Sequence, residues 1–343
     1  MDFFIRWFFI FTPFLAFGSL VVVSPNPYVT LYTPRSVLLD PPSKEYIRFA
    51  GKNPRYSTCS GVCWAYDDQY IFAVNMQACS MGVYKFDSER KELTHVRNFE
   101  NQHGVDLDRP ENLACSKDGV FLAVPNMKSG KMHLYRMNQE TFINPYPEMT
   151  IYDRSLHGVR FSHNNSYLAS VSTGQSGISI YDIRNSPPIF LQSLGTPFYP
   201  LKAKTVDFSL DGRFMIAGYC IELSGKKHDA HGMIVVYECN KETGYINPSS
   251  VSITKEVDSV ETIAFYPDGE SFFSVDQVNS KIMGHSFDVV TGKIGNSWVA
   301  LEGKESGLNI PHGIAFSSDG KYMAISNLKD DKITVYKTIE VDP

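Results

Sequence analysis

A tyrosine returns about every fifty residues along this chain, each time at the end of a short apolar strand. Tyr84 closes Gly82-Val83-Tyr84, Tyr135 closes Met132-His133-Leu134-Tyr135, and Tyr181 closes Ile178-Ser179-Ile180-Tyr181. Tyr237 and Tyr336 end Ile234-Val235-Val236-Tyr237 and Ile333-Thr334-Val335-Tyr336, and Phe287 fills the slot between them. Ahead of each lies an apolar strand, a polar turn and a second apolar strand. The segment Phe316-Ser317-Ser318-Asp319-Gly320-Lys321-Tyr322-Met323-Ala324-Ile325-Ser326 is the cleanest copy. The inner strands alternate apolar and small residues, as in Val159-Arg160-Phe161, Val206-Asp207-Phe208 and Ile263-Ala264-Phe265, the period of a strand with one buried face. Turns such as Lys117-Asp118-Gly119, Asp211-Gly212 and Asp268-Gly269 supply the positive φ of a tight hairpin. Three or four short strands per fixed period define a β-propeller. The fold class is all-β, a single propeller of four-stranded blades.

The repeat runs nearly end to end, so the chain is read as one domain over 1–343, with clear blade repeats across 56–338. The net charge of −5 comes with both signs scattered. No basic stripe points to nucleic acid, and the expectation is a monomer. Phosphate-loop, Gly-x-Ser-x-Gly and His-Glu-x-x-His motifs are absent from the sequence, which disfavours the chemistries they serve.

Residues 1–55 admit two readings. In one they form a degenerate first blade plus a closing strand. Val29-Thr30-Leu31-Tyr32 matches the tyrosine strand one period before Tyr84, and the chain stops soon after Tyr336, so the last blade needs an outer strand from elsewhere. Residues 3–10 supply it in a seven-blade ring, and 45–50 supply it in a six-blade ring that leaves 25–44 without a place. Seven blades are favoured on this reading. In the other, the apolar segment 1–23 is a signal peptide or membrane anchor. A cytoplasmic location goes with the first reading, and a secreted or membrane-anchored one with the second.

The residue just ahead of each inner strand falls on a ring around one channel mouth, here called the top face. That ring reads Ser60, Glu111, His157, Lys204, Glu261 and His312, with Thr12 or Pro13 added if the N-terminal blade exists. Two carboxylates, two histidines and a lysine at equivalent repeat positions can bind a ligand together. Glu111 and Glu261 are candidate ligands for a divalent metal. His157, His312, Lys204 and Glu261 are candidates for acid–base chemistry on an ester, with a histidine as base and the lysine facing the developing anion. Water-facing polar residues at a wet channel mouth need no such role. The insertion from Tyr219 to Gly232 overhangs the same mouth and adds His228 and His231 as candidate ligand-binding residues. Of the six cysteines, Cys115 occupies the aromatic register of Phe161 and Phe208 and reads as a small buried hydrophobe. Cys63 and Cys79 share a blade and can approach each other.

The phrase His312-Gly313-Ile314-Ala315-Phe316-Ser317-Ser318-Asp319-Gly320-Lys321-Tyr322, opening on Pro311-His312, resembles the WD40/YVTN propeller superfamily, and within it the seven-bladed lactonase-like proteins. Third strands ending in Tyr-Lys, Tyr-Arg or Tyr-Asp depart from the Trp-Asp of true WD40 repeats. The resemblance implies a small-molecule ester site on the top face, without carrying over a catalytic set residue by residue. The expected function is a binding module that presents this mouth to a protein or small-molecule ligand. The alternative is a lactonase-like hydrolase acting on a sugar lactone.

Overall fold

The recurring turn is held by its own side chains. In Ser116-Lys117-Asp118-Gly119 the Ser116 hydroxyl donates to Asp118 Oδ1 at 2.6 Å and accepts the Phe121 N–H at 2.8 Å. Ser209 and Ser317 repeat both bonds with Asp211 and Asp319. Ser162 does so with Asn164. Gly119, Gly212 and Gly320 take φ near 70° in these turns, a backbone region open to glycine at no steric cost. The turn is thus held by bonds within five positions, and it delivers the second strand antiparallel to the first.

The computed structural model describes residues 59–341 except 91, 102–103, 175–176, 222–230 and 304–305, together with the backbone of three short strands, Leu20–Val22, Ser36–Leu39 and Ile47–Arg48. The described residues form six antiparallel blades. Their inner strands are Cys59–Ala65, Ala114–Cys115, Leu156–Phe161, Lys202–Phe208, Ile263–Phe265 and Pro311–Phe316. We number the blades one to six in that order. The repeated tyrosines are structural. Tyr84, Tyr135, Tyr237 and Tyr336 are at most 1% exposed, and two of their hydroxyls reach the backbone entering their own blade. Tyr336 donates to the Ser306 carbonyl at 2.8 Å, and Tyr135 accepts the Asp106 N–H at 3.1 Å. Each ring fills its blade, and those of Tyr135 and Tyr336 also pin the incoming linker, so the period in the sequence is a period of packing.

The ring closes at six blades. Blade six lies directly against blade one: the Trp64 indole N–H donates to the Ala315 carbonyl at 3.1 Å, the Ser326 hydroxyl donates to the Ser60 carbonyl, and the Ser318 N–H donates to Asp68 at 2.7 Å. These bonds leave no gap for a seventh blade, so the preference for seven is corrected. The last blade's missing strand comes from Ile47–Arg48, paired with Ile333 and Lys332. This is the six-blade alternative, and it covers an edge that would otherwise offer unpaired backbone groups. Ser36–Leu39 pairs with the far end of the same strand, over Thr338 to Val341. Residues 3–10, Thr12, Pro13 and Tyr32 lie outside the described residues. Among the described residues no helix is long and apolar enough to cross a membrane.

Trp64, Phe161, Phe208 and Phe265 are buried as their register predicts, while Phe316 is only half-buried. Cys115 is also half-buried, and its sulfur lies 2.9 Å from that of Cys63 in the neighbouring blade. Cys79 instead accepts the Arg109 N–H at 3.3 Å. The thiol that Cys63 approaches is therefore Cys115 of the next blade, and not Cys79 of its own, the approach the sequence allowed. All six cysteines are free.

Candidate functional site

Each inner strand starts at the top of the channel, and in four blades its ladder slips there. The register shifts between Cys59 and Val62, Leu156 and Gly158, Ala203 and Thr205, and Pro311 and Ile314. A bulge of this kind re-aims one side chain, and the residues it frees are Ser60, His157, Lys204 and His312. Three of them, Ser60, His157 and His312, are followed by glycine for a steric reason: a Cβ on Gly61 would stand 2.6 Å from the Asn112 Cα of the next blade. A Cβ on Gly158 would stand 2.8 Å from the Lys204 carbonyl oxygen, and one on Gly313 would stand 2.7 Å from that of Ser60. The neighbouring blade comes too close for any larger residue.

The freed side chains meet across the axis. His157 Nε2 of blade three lies 2.9 Å from Glu261 Oε1 of blade five. His312 Nε2 of blade six lies 3.2 Å from the same oxygen and 3.7 Å from Glu111 Oε2 of blade two. Blades three and five are not neighbours, nor are two and six, so these contacts exist only because the side chains converge in the channel. Lys204 Nζ is 3.9 Å from Glu261 Oε2, and the two imidazoles stack at 6.0 Å between centroids. Glu111, His157, Glu261 and His312 are only 4–6% exposed. The cluster is therefore enclosed in the channel, where the sequence reading put it at an open mouth.

Proton positions follow from the partners. His157 Nδ1 faces the Lys204 carbonyl oxygen at 2.9 Å, an obligatory acceptor, while Nε2 faces a carboxylate. With an acceptor on each side, His157 can donate from either ring nitrogen. His312 differs, because Nε2 faces carboxylates and its buried Nδ1 has no partner. One hydrogen on Nε2 satisfies that ring and leaves a basic lone pair on Nδ1. Burial pushes the His312 imidazole down from its ordinary value, against the pull of Glu261 and Glu111, so it is neutral at pH 7. Burial alone would raise the Glu261 carboxyl, but Lys204, His157 and His312 outweigh it and hold it well below the ordinary carboxylate range.

The donor set also suits a divalent cation. Glu111, His157 and His312 each offer a ligand atom, all within 4.8 Å of one another, and imidazole with carboxylate is a zinc-type set. The unpartnered His312 Nδ1 agrees with a missing partner, while the Lys204 ammonium already supplies one positive charge at Glu261.

Other expected residues are placed elsewhere. Ser60 is fully buried and donates to the Pro110 carbonyl at 3.1 Å, fastening blade one to blade two. His231 is exposed, outside the buried cluster, and His228 lies outside the described residues. Sequence reasoning missed Arg109, whose Nε sits 3.8 Å from Glu111 Oε1; it precedes the repeat register and carried no signal. It also missed a second layer of the channel. The position before each aromatic is Cys63, Ala114, Ala264 or Ala315 in four blades, but Arg160 and Asp207 in the other two. These two form an ion pair with N···O of 3.5 Å. Two adjacent charges where small residues recur were the signal to notice. This layer borders a cavity of about 720 Å³ that opens at the turn end, opposite the histidine cluster, and is rimmed by Trp64, Phe161, Phe208, Phe265 and Phe316.

Residues 42–142 match the model of the lactonase, 7-bladed β-propeller family. Glu111 is the one cluster residue inside that stretch. A candidate 6-phosphogluconolactonase from Bacteroides uniformis is 14% identical, with 70% of each chain covered and a TM-score of 0.54. A second candidate 6-phosphogluconolactonase, from Bacteroides fragilis, is 16% identical over 82% of this chain and 84% of that one, with a TM-score of 0.54. Hydrazine synthase of Kuenenia stuttgartiensis is 16% identical over 84% of this chain and 79% of that one, with a TM-score of 0.55. At these identities the shared property is the fold. Comparison with curated proteins returns no match. The chain is a β-propeller that resembles the lactonase-like propellers, with six described blades where the family's name counts seven.

Proposed function

We propose that the enclosed His–Glu cluster binds a lactone, a cyclic ester of the sugar-lactone type, and opens it by general acid–base hydrolysis. The observation that carries this reading is the unequal partnering of two histidines that share one buried carboxylate: His157 has an acceptor at each ring nitrogen, His312 at Nε2 alone. His312 is the base, taking a proton from the attacking water through its free Nδ1. The Lys204 ammonium faces the oxyanion that forms at the carbonyl carbon. His157, held by Glu261 and required in its charged form for this role, gives its Nε2 proton to the departing ring oxygen, and the two rings then exchange a proton through solvent to reset. Each role matches what that group can donate or accept. A divalent cation held by Glu111, His157 and His312 would instead supply Lewis-acid polarisation of the lactone carbonyl, with the two imidazoles serving as its ligands in place of their acid and base roles.

One observation favours a second reading, ligand binding without turnover. The cluster's side chains are 4–6% exposed and largely satisfy one another, which suits a rigid recognition element as well as a reacting one. A panel of sugar lactones, followed by acid release with and without added zinc, separates the two. Hydrolysis that His312→Ala abolishes, with the melting temperature kept within a few degrees, supports the enzyme. A lactone that raises Tm without acid release supports the binding module. Neither turnover nor a Tm shift with any lactone or metal removes both readings.

A further inference from the structure

The cavity at the turn end carries a feature that owes nothing to the histidine cluster. Cys63 and Cys115 stand on the inner strands of blades one and two, 52 positions apart in sequence, with their sulfurs 2.9 Å apart. Both side chains line the 720 Å³ cavity, so a small solute entering at the turn end reaches them. Cys63 is buried and Cys115 half-buried. A disulfide requires sulfurs about 2.05 Å apart, a closure of less than ~1 Å from the observed separation. Cys59 is fully buried, Cys79 accepts the Arg109 N–H, and Cys239 sits by the Tyr237 carbonyl.

We propose that Cys63 and Cys115 are a redox-active thiol pair that a hydroperoxide converts into a disulfide across the seam between blades one and two. The chemistry balances. One sulfur, as thiolate, attacks the outer peroxide oxygen; the O–O bond breaks, giving a sulfenic acid and an alkoxide, or hydroxide from hydrogen peroxide, which takes up the proton lost by the thiol. The second sulfur attacks the sulfenic sulfur, the S–O bond breaks, and the departing hydroxide leaves as water with the second thiol's proton. Two thiols are oxidised by two electrons, and one peroxide is reduced to water plus alcohol, or to two waters.

The surroundings assign the roles. The hydrogen bond to Cys63 and burial hold Cys115 well above the usual thiol range, with a smaller opposing pull from the Arg160 guanidinium. Cys115 is thus protonated at neutral pH, either sulfur can be the hydrogen donor of the pair, and we give the first attack to Cys63. Arg160 lines the same cavity, where its positive charge is partly offset by its partner Asp207 and lends a small pull toward the Cys115 anion. The two strands are anchored independently of these sulfurs, since Cys63 pairs with Phe72 in blade one and Cys115 with Leu122 in blade two. The bond therefore ties together two preformed blades. It closes a long loop in the unfolded chain, and such links stabilise chiefly by restricting that state.

The test treats the reduced full-length protein with a few equivalents of hydrogen peroxide, counts thiols in denaturant, and maps the non-reduced digest by mass spectrometry. Two of the six thiols are expected to disappear, with one peptide linking Cys63 to Cys115. Tm should rise by about 5 °C and return on reduction. Cys63→Ser and Cys115→Ser should each abolish the link; should either variant fail to fold, the wild-type map still decides. Retention of all six thiols, conversion of Cys63 or Cys115 to sulfinic acid without a cross-link, or a link between any other pair overturns the proposal.

Discussion

Replacing Glu261 with glutamine removes one charge and almost no volume, at the point where three cationic or hydrogen-bearing groups meet. Glu261 faces His157 at 2.9 Å, His312 at 3.2 Å and Lys204 at 3.9 Å. One charge pair near 4 Å is worth about 4 kcal/mol at an effective dielectric of ~20, and dehydrating the carboxylate offsets part of the sum. What remains after the substitution is the Lys204 ammonium beside two imidazoles in an enclosed channel with one carboxylate fewer. Leaving buried charge uncompensated in this way costs about 3–5 kcal/mol, a large share of the roughly 5–15 kcal/mol that holds an ordinary domain together. The pH dependence has a definite sign. The Glu261 carboxyl lies lower in the folded protein than in the unfolded chain, where it titrates near ~4.3. Its contribution is therefore fully present above about pH 5 and is lost progressively as pH falls below ~4. Burial lowers His285 to about 3, which also weakens the fold in acid, but that effect is common to both proteins and cancels in their difference. Urea unfolding of wild type and Glu261→Gln at pH 7, 5, 4 and 3 should show a gap of about 3–5 kcal/mol at pH 7 that narrows toward pH 3. A gap under about 1 kcal/mol at pH 7, or one that stays constant into acid, would refute the idea that this carboxylate is the electrostatic centre of the channel.

Phe208→Ala should cost about 3 kcal/mol, the low end for a buried aromatic, because this ring also borders the 720 Å³ cavity; a urea midpoint matching less than ~1 kcal/mol would mean the side chain faces the other way. Trp64→Phe keeps most of the packing but deletes the indole bond to the Ala315 carbonyl at the closing seam, so it should cost about 1–2 kcal/mol by the same measurement. Removing residues 1–50 strips Ile47–Arg48 and Ser36–Leu39 from the last blade; Tm should fall and the exposed edge should make the protein associate with rising concentration in sedimentation, whereas an unchanged monomer would show that these strands do not close the ring.

The propeller could be read from the sequence because its repeat is written in residues whose packing is local. The Ser-x-Asp-Gly turns fix themselves through bonds within a few positions, and each tyrosine fills its own blade, so single-chain periodicity carries the signal. The ring of Glu111, His157, Lys204, Glu261 and His312 was legible for the same reason: equivalent positions in a cyclic repeat must converge, whatever side chains stand there. Blade count was not legible in this way. It depends on which strand covers the last edge, a contact between Ile47–Arg48 and Lys332–Ile333 that two residues of ordinary β-formers encode no better than several other segments do. Burial of the cluster was also hidden, since whether a polar ring faces water depends on the channel's width. That width is set by the close approach of the inner strands at Gly158 and Gly313. The Cys63–Cys115 contact lay one step further away. The two residues sit one repeat position apart in register, Cys63 with the small channel-facing set and Cys115 with the aromatic set, so an alignment of repeats separates them. Only the stagger between neighbouring blades brings their sulfurs together. Pairings within a blade follow from the repeat, and pairings between blades need the ring's actual pitch. The histidines escape this rule because they meet at the axis, the one place where every blade arrives at the same height.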